Sequence, residues 1–255
     1  MRALVACVLL IAACSRENRD KPPAADVARP LLTSQDTSRA HRDSVQFRLL
    51  ADSMGRLEAR LDSLDGNPSA AGLLFQLGEL KKSGESWMYS GGPGNDYARQ
   101  RPTEYWHNDP DDNYVYTGAH WKQLIERFPR DSLADEAGWA LAHRTMGGEC
   151  EGDVICGLGR GVALPIGFLE KFPDSDHAGS AVEEVNAALD DFQRKLPDLK
   201  DTSTVNDRPY DPADLAAIVS RYDAAAARLP AAIRADAYRI TSELWTRLGK
   251  PGRRH

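Results

Sequence analysis

The sequence lacks the features that mark several large classes of protein. Its opening apolar run, Ala3 to Ala13, is shorter than the roughly 20 residues that a membrane-spanning helix needs. It contains neither a His-Glu-x-x-His nor a Gly-x-Ser-x-Gly motif, which are typical of zinc proteases and serine hydrolases. Acidic and basic residues are mixed, the formal net charge is −6, and no basic stripe suggests nucleic-acid binding. We therefore expect no catalytic residues, cofactor, metal or nucleic-acid partner.

The N-terminus has the pattern of a cleavable signal peptide. Met1-Arg2 provides a short basic start, and the apolar run has the length of a signal-peptide core. The run ends in Ile11-Ala12-Ala13-Cys14, which resembles the lipobox of bacterial lipoproteins. The resemblance implies a signal peptide over residues 1–13 and lipid attachment at Cys14. An ordinary secretory signal with an incidental cysteine, or a short N-terminal anchor, would give a similar pattern.

The segment after Cys14 predicts a lipid-anchored protein with a flexible tether. Residues 14–35 are rich in charge, proline and alanine and have little apolar surface to bury. Ser15 stands where lipoproteins retained in the inner membrane carry aspartate. The resemblance therefore favours an extracytoplasmic location at the periplasmic face of the outer membrane.

The chain contains only four cysteines. The predicted signal peptide removes Cys7, and lipid attachment occupies Cys14. In an oxidising compartment the remaining pair, Cys150 and Cys156, favours a local disulfide. Two cysteines are weak support for zinc, and their spacing is too wide for a thioredoxin-type motif.

Residues 36–83 predict an N-terminal pair of helices. Six apolar side chains recur at alternating intervals of three and four, as on one helix face: Phe47, Leu50, Met54, Leu57, Leu61 and Leu64. This seam over residues 47–64 fits either packing on the protein's own core or weak self-association. Leu73, Leu74, Leu77 and Leu80 form the apolar face of the second helix.

Residues 84–113 predict an irregular, aromatic-rich insertion. Eight of the chain's nineteen aromatic residues lie between residues 87 and 121, and long loops with such content are often functional. Tryptophan and tyrosine are enriched at binding hot spots, and they also stack on sugar rings or seal a loop onto its own core. The candidate binding surface comprises Trp87, Tyr89, Tyr105, Trp106, Tyr114, Tyr116 and Trp121.

Residues 114–250 contain an internal repeat. Leu124-Ile125-Glu126-Arg127-Phe128-Pro129 is matched 44 residues later by Phe168-Leu169-Glu170-Lys171-Phe172-Pro173. Small residues follow at equivalent places, Ala134 and Ala137 in the first copy and Ala178 and Ala181 in the second, and Leu229-Pro230 begins a fainter third copy. Because the residue before a proline leaves the α region, each copy predicts two helices joined by a proline turn. Asp131 or Ser132, and Asp174 or Ser175, are suited to cap the second helices.

These units resemble the tetratricopeptide-like repeats of bacterial envelope proteins, including assembly and scaffold lipoproteins. The resemblance covers residues 116–146 and 160–192, and residues 215–248 weakly. The 44-residue spacing exceeds the usual 34, and the Trp-Leu-Gly-Tyr pattern of the first helix is absent. It implies an all-α protein with a short solenoid of helical hairpins.

Three further patterns suggest chemistry only weakly. Asp109-x-Asp111-x-Asn113 starts like an EF-hand loop, but Tyr114 replaces the required glycine and His120 the glutamate. A looser calcium site, or a turn followed by a helix start, remains open there. His107, His120 and His143 fit either a metal or acid–base site or ordinary packing, and Gly157 to Gly161 is interpreted as a linker.

The sequence therefore predicts a membrane-anchored, non-catalytic scaffold that binds an envelope protein or peptide through its helical repeats. The alternative is a cell-wall glycan-binding protein or enzyme that uses Glu104, Tyr105, Trp106 and Asp109 of the insertion.

Overall fold

The computed structural model describes residues 34–64, 66–144, 150, 153–195, 204–205, 208–209 and 211–249. The predicted signal peptide, Cys14 and residues 15–33 of the tether lie outside these ranges. The chain divides into two units, Met1–Ala40 and His41–His255, and every contact discussed below lies within the second.

The described residues are mostly α-helical, as the sequence predicts. The helices are α1 (Ser34–Asp62), α2 (Ala70–Ser83), α3 (Asn95–Arg99), α4 (Ala119–Arg127), α5 (Leu133–Ala142), α6 (Val154–Lys171), α7 (Ala178–Lys195), α8 (Pro212–Ala226) and α9 (Ala231–Arg247). Two antiparallel strand pairs complete them: β1 (Tyr105–Asn108) with β2 (Asn113–Tyr116), and β3 (Thr204–Val205) with β4 (Arg208–Pro209). Among the described helices, none has the length and apolarity needed to cross a bilayer.

The apolar seam of α1 packs on the protein's own core. Phe47 and Met54 are buried. Leu50 and Leu61 are partly buried and pack against the apolar cluster that contains Phe47. A second copy would reach Phe47 and Met54 only if this core opened. Phe47, Leu50, Met54 and Leu61 of the seam thus pack within the chain, and self-association through residues 47–64 stays a prediction.

The insertion at residues 84–113 is more regular than its composition suggests. It contains a 3₁₀ turn (Gly84–Trp87), α3, β1 and the start of β2. Tyr105 pairs with Tyr116, and Asn108 with Asn113. Asp109–Asp111 form one turn of 3₁₀ helix, so a short helix does start at residues 108–113, but it does not continue as an α-helix because Asp112 adopts a left-handed conformation (φ 47°) and closes a β-hairpin. The oxygen-rich composition that suits a helix cap also suits a hairpin turn.

The first two repeat copies have nearly the same turn geometry. Phe128 follows α4 directly (φ −130°, ψ 54°), and Phe172 follows α6 directly (φ −128°, ψ 58°). In each copy the phenylalanine N–H donates to the carbonyl four residues earlier at 2.8 Å. The Asp131 carboxylate accepts the N–H of Leu133, and the Ser175 hydroxyl accepts that of His177. Of the four candidate cap residues, Asp131 and Ser175 therefore occupy equivalent positions in the two copies, each three residues after the phenylalanine.

The small residues of the repeat allow its helices to approach closely. Ala134, Ala137, Ala178 and Ala181 are all buried, whereas Pro129 is exposed and Pro173 half-buried at the turns. The third copy differs because α9 begins directly after Pro230. This shorter turn exposes Ala235 and buries Ala237 instead.

Residues 157–161 form part of a helix, so their interpretation as a linker is wrong. Asp153 caps α6 by accepting the N–H groups of Ile155 and Cys156, which satisfies donors that a helix start leaves open. Leu158 and Val162 are four positions apart, as on one face of a helix, and both are buried although glycines lie between them. A disulfide with an S–S distance of 2.15 Å joins Cys150, which precedes α6, to Cys156 in the first turn of that helix.

The hairpins pack in chain order. α4 pairs with α5, α6 with α7, and α8 with α9, while α5–α6, α6–α8 and α7–α9 contacts join neighbouring pairs. One apolar cluster lies among α6 to α9, and another gathers α1, α2, the β1–β2 hairpin, α4 and α5. Phe172 packs against both clusters. The α5–α6 joint is therefore where the two cores meet.

Candidate binding groove

A groove of about 300 Å³ lies at this joint. α4 contributes Lys122, Ile125 and Glu126, while α5 contributes Gly138, Leu141 and Ala142. The other side comes from α6, from Phe172 at its end and from Arg221 of α8. The α6 residues are Ala163, Leu164, Gly167, Phe168 and Lys171.

The floor of the groove is apolar and partly built from small residues. Phe168 is buried, while Leu141, Leu164 and Phe172 are half-buried and keep some surface exposed. Ala163 and Gly167 carry little or no side chain on the α6 side. Apolar clefts that contain a few polar groups are the usual form of ligand sites.

The rim of the groove is mainly cationic. Arg221 pairs with both oxygens of Glu170 at 2.7 Å, which lowers the pKa of that carboxyl. The side chains of Lys122 and Lys171 form no hydrogen bond or ion pair with any residue that the structure describes. Burial, and secondarily the charge of Arg144, lowers the pKa of Lys122. Glu126 is the acidic residue of the lining.

Two histidine–glutamate pairs link the hairpins that form the groove. His143 Nε2 lies 2.8 Å from Glu184, and His177 Nε2 lies 3.1 Å from Glu136. Trp139 lies between the imidazoles: its ring stacks on His177 at 4.9 Å and contacts His143 at 4.1 Å. These contacts hold α5 to the start and middle of α7.

The His143–Glu184 pair is expected to stabilise the protein at acidic pH only. Partial burial opposes protonation, but the hydrogen bonds to Glu184 and to the Trp139 carbonyl raise the pKa of His143 overall. A group whose pKa rises on folding stabilises fully below its unfolded value, near 6.5. That stability is lost as the pH rises through the folded value. We expect His143→Gln to cost about 0.5 kcal/mol more at pH 5.5 than at pH 9, because the pair is half-exposed and the ring contact with Trp139 is lost at both pH values.

The measurement is the difference in unfolding free energy between wild type and variant at both pH values. Glu184→Gln should remove the same pH-dependent contribution, since it deletes the partner of the same pair. A cost that is equal at pH 5.5 and pH 9 would contradict this assignment.

The predicted aromatic surface divides between core and solvent. Tyr105, Tyr116 and Trp121 are 2%, 0% and 2% exposed, so they belong to the core and not to a binding surface. Trp87 and Tyr114 are half-buried. Tyr89 and Trp106 are exposed at 44% and 41%. Trp106 is exposed because strand alternation turns it away from the buried Tyr105.

The two acidic residues considered for glycan chemistry, Glu104 and Asp109, each interact with a basic side chain of the protein. Glu104 forms an ion pair with the buried Lys81, which also binds Glu58 at 2.5 Å. Asp109 lies 2.6 Å from His107 and raises the pKa of that imidazole, chiefly through the hydrogen bond. Both carboxylates considered for catalysis thus have an intramolecular partner.

The three histidines do not converge on a metal site. His120 is buried, its Nδ1 lies 2.8 Å from the Tyr116 hydroxyl, and its backbone N–H donates to the same oxygen. Burial lowers the pKa of His120. Across the described ranges, no group of three or more histidine, cysteine, aspartate or glutamate residues is placed to hold a metal ion.

Sequence reasoning missed both Lys81 and the groove. Lys81 falls one turn beyond Leu77 on the buried face of α2, and a lysine in an apolar stripe is a readable sign of a buried ion pair. The groove has no such sign in the sequence, because its lining comes from four helices.

Comparisons with protein families, with curated proteins and with solved structures find no match for this chain.

Proposed function

We propose that this protein is a lipid-anchored, non-catalytic scaffold of the cell envelope that binds a peptide segment of a partner protein. The groove between α4, α5 and α6 is the observation that supports this most strongly. It combines an apolar floor with cationic groups at its edge, and it crosses the boundary between two helical hairpins. Stacked hairpins in a short solenoid offer grooves of this kind.

The lipobox pattern at Cys14 supports the anchor. Lipidation would hold the groove near a membrane and raise its effective concentration for a membrane-associated partner. Two acyl chains are needed for lasting attachment, since one chain gives only marginal binding. Metabolic labelling with a palmitate analogue should mark the wild-type protein and not Cys14→Ala. Labelling of the variant would contradict lipid attachment at Cys14.

Site-specific photo-crosslinking tests the groove. A benzophenone amino acid at Leu164, in the groove, should give a discrete protein adduct in native membranes. The same group at Arg239, in a separate cleft between α7 and α9, is the matched control and should not give that adduct. Ala163→Phe should fill the floor and abolish the Leu164 adduct. Adducts that are the same at both positions, or that survive Ala163→Phe, would contradict the proposal.

Glycan binding through the β1–β2 hairpin is the second candidate. It is favoured by the exposure of Trp106 and Tyr89, because exposed rings are surfaces on which sugars stack. Glu104 and Asp109 do not support catalysis there, since each has an intramolecular partner. The hairpin is therefore considered a binding surface and not an active site.

Trp106→Ala decides between the two candidates. The exposed ring contributes little to the core, so the change in unfolding free energy should stay within about 0.5 kcal/mol. Under the groove proposal the Leu164 adduct persists and pull-down of peptidoglycan fragments is no stronger than for an unrelated protein. Specific fragment binding that Trp106→Ala abolishes would favour the hairpin instead.

A further inference from the structure

The cationic groups of the groove contrast with the acidic character of the whole chain. The formal net charge is −6, yet three of the four charged side chains that line the groove are basic. Arg221 is already neutralised by Glu170 through two contacts of 2.7 Å. Lys122 and Lys171 are thus the cations that remain available at the edge of the apolar floor.

Lys122 lies at the exposed edge of the groove, close to a second cation, Arg144. Desolvation and the neighbouring charge of Arg144 lower its pKa, while Arg144 itself donates to the Thr117 carbonyl at 3.3 Å. The Glu126 charge acts in the opposite direction on Lys122, but it does not restore the usual pKa. An anionic group arriving from a ligand would relieve this unfavourable arrangement.

The floor restricts the form that this anion takes. Leu164, Phe168 and Phe172 offer apolar surface beside the lysines, and Gly167 leaves room on α6, since a Cβ there would meet only the Arg221 guanidinium at 3.5 Å. A small free anion would use the lysines and leave this surface unfilled. A segment that carries an apolar side chain next to a carboxylate would use both.

We propose that the groove binds an acidic peptide segment, with carboxylates paired to Lys122 and Lys171 and an adjacent apolar side chain on the floor. This inference rests on the proposed peptide-binding function and adds the chemistry of the ligand. Charge complementarity of this kind contributes mainly to specificity and to the rate of association.

Selection from a random-peptide display library on the full-length protein in detergent micelles tests the inference. Enriched peptides should carry aspartate or glutamate beside an apolar residue. A synthetic peptide of the enriched sequence should bind Lys122→Gln/Lys171→Gln about tenfold more weakly than wild type. Arg194→Gln/Lys195→Gln removes the same charge from the exposed end of α7 and should leave the affinity unchanged.

The outcomes separate this inference from the proposed function. Enriched peptides that are neutral or basic, or that bind both double variants equally but lose binding with Ala163→Phe, would overturn the acidic specificity and retain the groove. The absence of enriched peptides, or binding that survives Ala163→Phe, would overturn both. Competition by phosphatidylglycerol vesicles, with no effect of neutral vesicles, would assign the lysines to lipid headgroups and overturn the peptide.

Discussion

Gly78→Ala is expected to lower the unfolding free energy by about 2–3 kcal/mol, although alanine is normally the better helix former. A Cβ on Gly78 would lie 2.1 Å from Nε1 and 2.4 Å from Cδ1 of Trp121. Trp121 is 2% exposed and contacts Tyr116 edge-on at 5.4 Å. The indole is enclosed, so relief of the clash requires α2 and α4 to move apart.

Gly72→Ala is the matched control in the same helix. A Cβ on Gly72 meets nothing within 4 Å, so the substitution should raise the unfolding free energy by about 0.5–1 kcal/mol. Chemical denaturation of both variants measures the two changes, which should have opposite signs. Stabilisation by both would show that Trp121 does not lie against Gly78.

Lys81→Met is expected to cost about 3–5 kcal/mol, the usual consequence of removing one partner of a buried ion pair. The Lys81 side chain is 0% exposed, while those of Glu58 and Glu104 are 30% and 21% exposed. Without the ammonium group, two carboxylates face each other in a poorly solvated place. The Lys81 carbonyl also accepts the Tyr105 hydroxyl at 3.4 Å, so the same residue holds the hairpin to α2.

The neighbouring Lys82→Met provides the control. Lys82 pairs with Glu85 at 2.6 Å, but its side chain is 32% exposed, so its loss should cost less than that of Lys81, about 1 kcal/mol. Adding Glu58→Gln and Glu104→Gln to Lys81→Met should recover much of the lost stability, because the unpaired charges disappear. If the triple variant is as unstable as Lys81→Met, the loss comes from packing and not from charge.

The buried Lys81 connects the segment between α2 and α4 to the helices by ion pairs. Glu58 lies on α1, Lys81 on α2 and Glu104 just before β1. Arg101 packs over the Tyr97 ring at 3.7 Å beside this cluster. The aromatic residues of the segment thus serve mainly to attach it to the helices, and they leave Trp106 and Tyr89 at the surface.

The helical repeat was predictable because its determinants are local. A proline after an aromatic residue ends a helix whatever surrounds it, and Phe128 and Phe172 accordingly adopt the same backbone conformation. The apolar period and the small residues at positions 134, 137, 178 and 181 then define the buried faces. The disulfide was predictable from two cysteines six residues apart.

The β1–β2 hairpin and the α-helical conformation of residues 157–161 could not be predicted from local sequence in this way. Strand pairing between residues 105–108 and 113–116 depends on the partner strand, and the alternating burial of Tyr105 and Trp106 appears only once the hairpin packs on α2. The glycines of α6 disfavour a helix by local propensity. Burial of Leu158 and Val162 against other helices outweighs that cost.

The sequence by itself determined the helix pairs, their turns and the faces they bury, since each depends on residues only a few positions apart. Tertiary structure alone decided which aromatic residues are exposed, which charges are paired and where the groove lies. Lys122 and Lys171 are separated by 49 positions and belong to different hairpins. They line one groove only because the packing of α4, α5 and α6 places them around the same apolar floor.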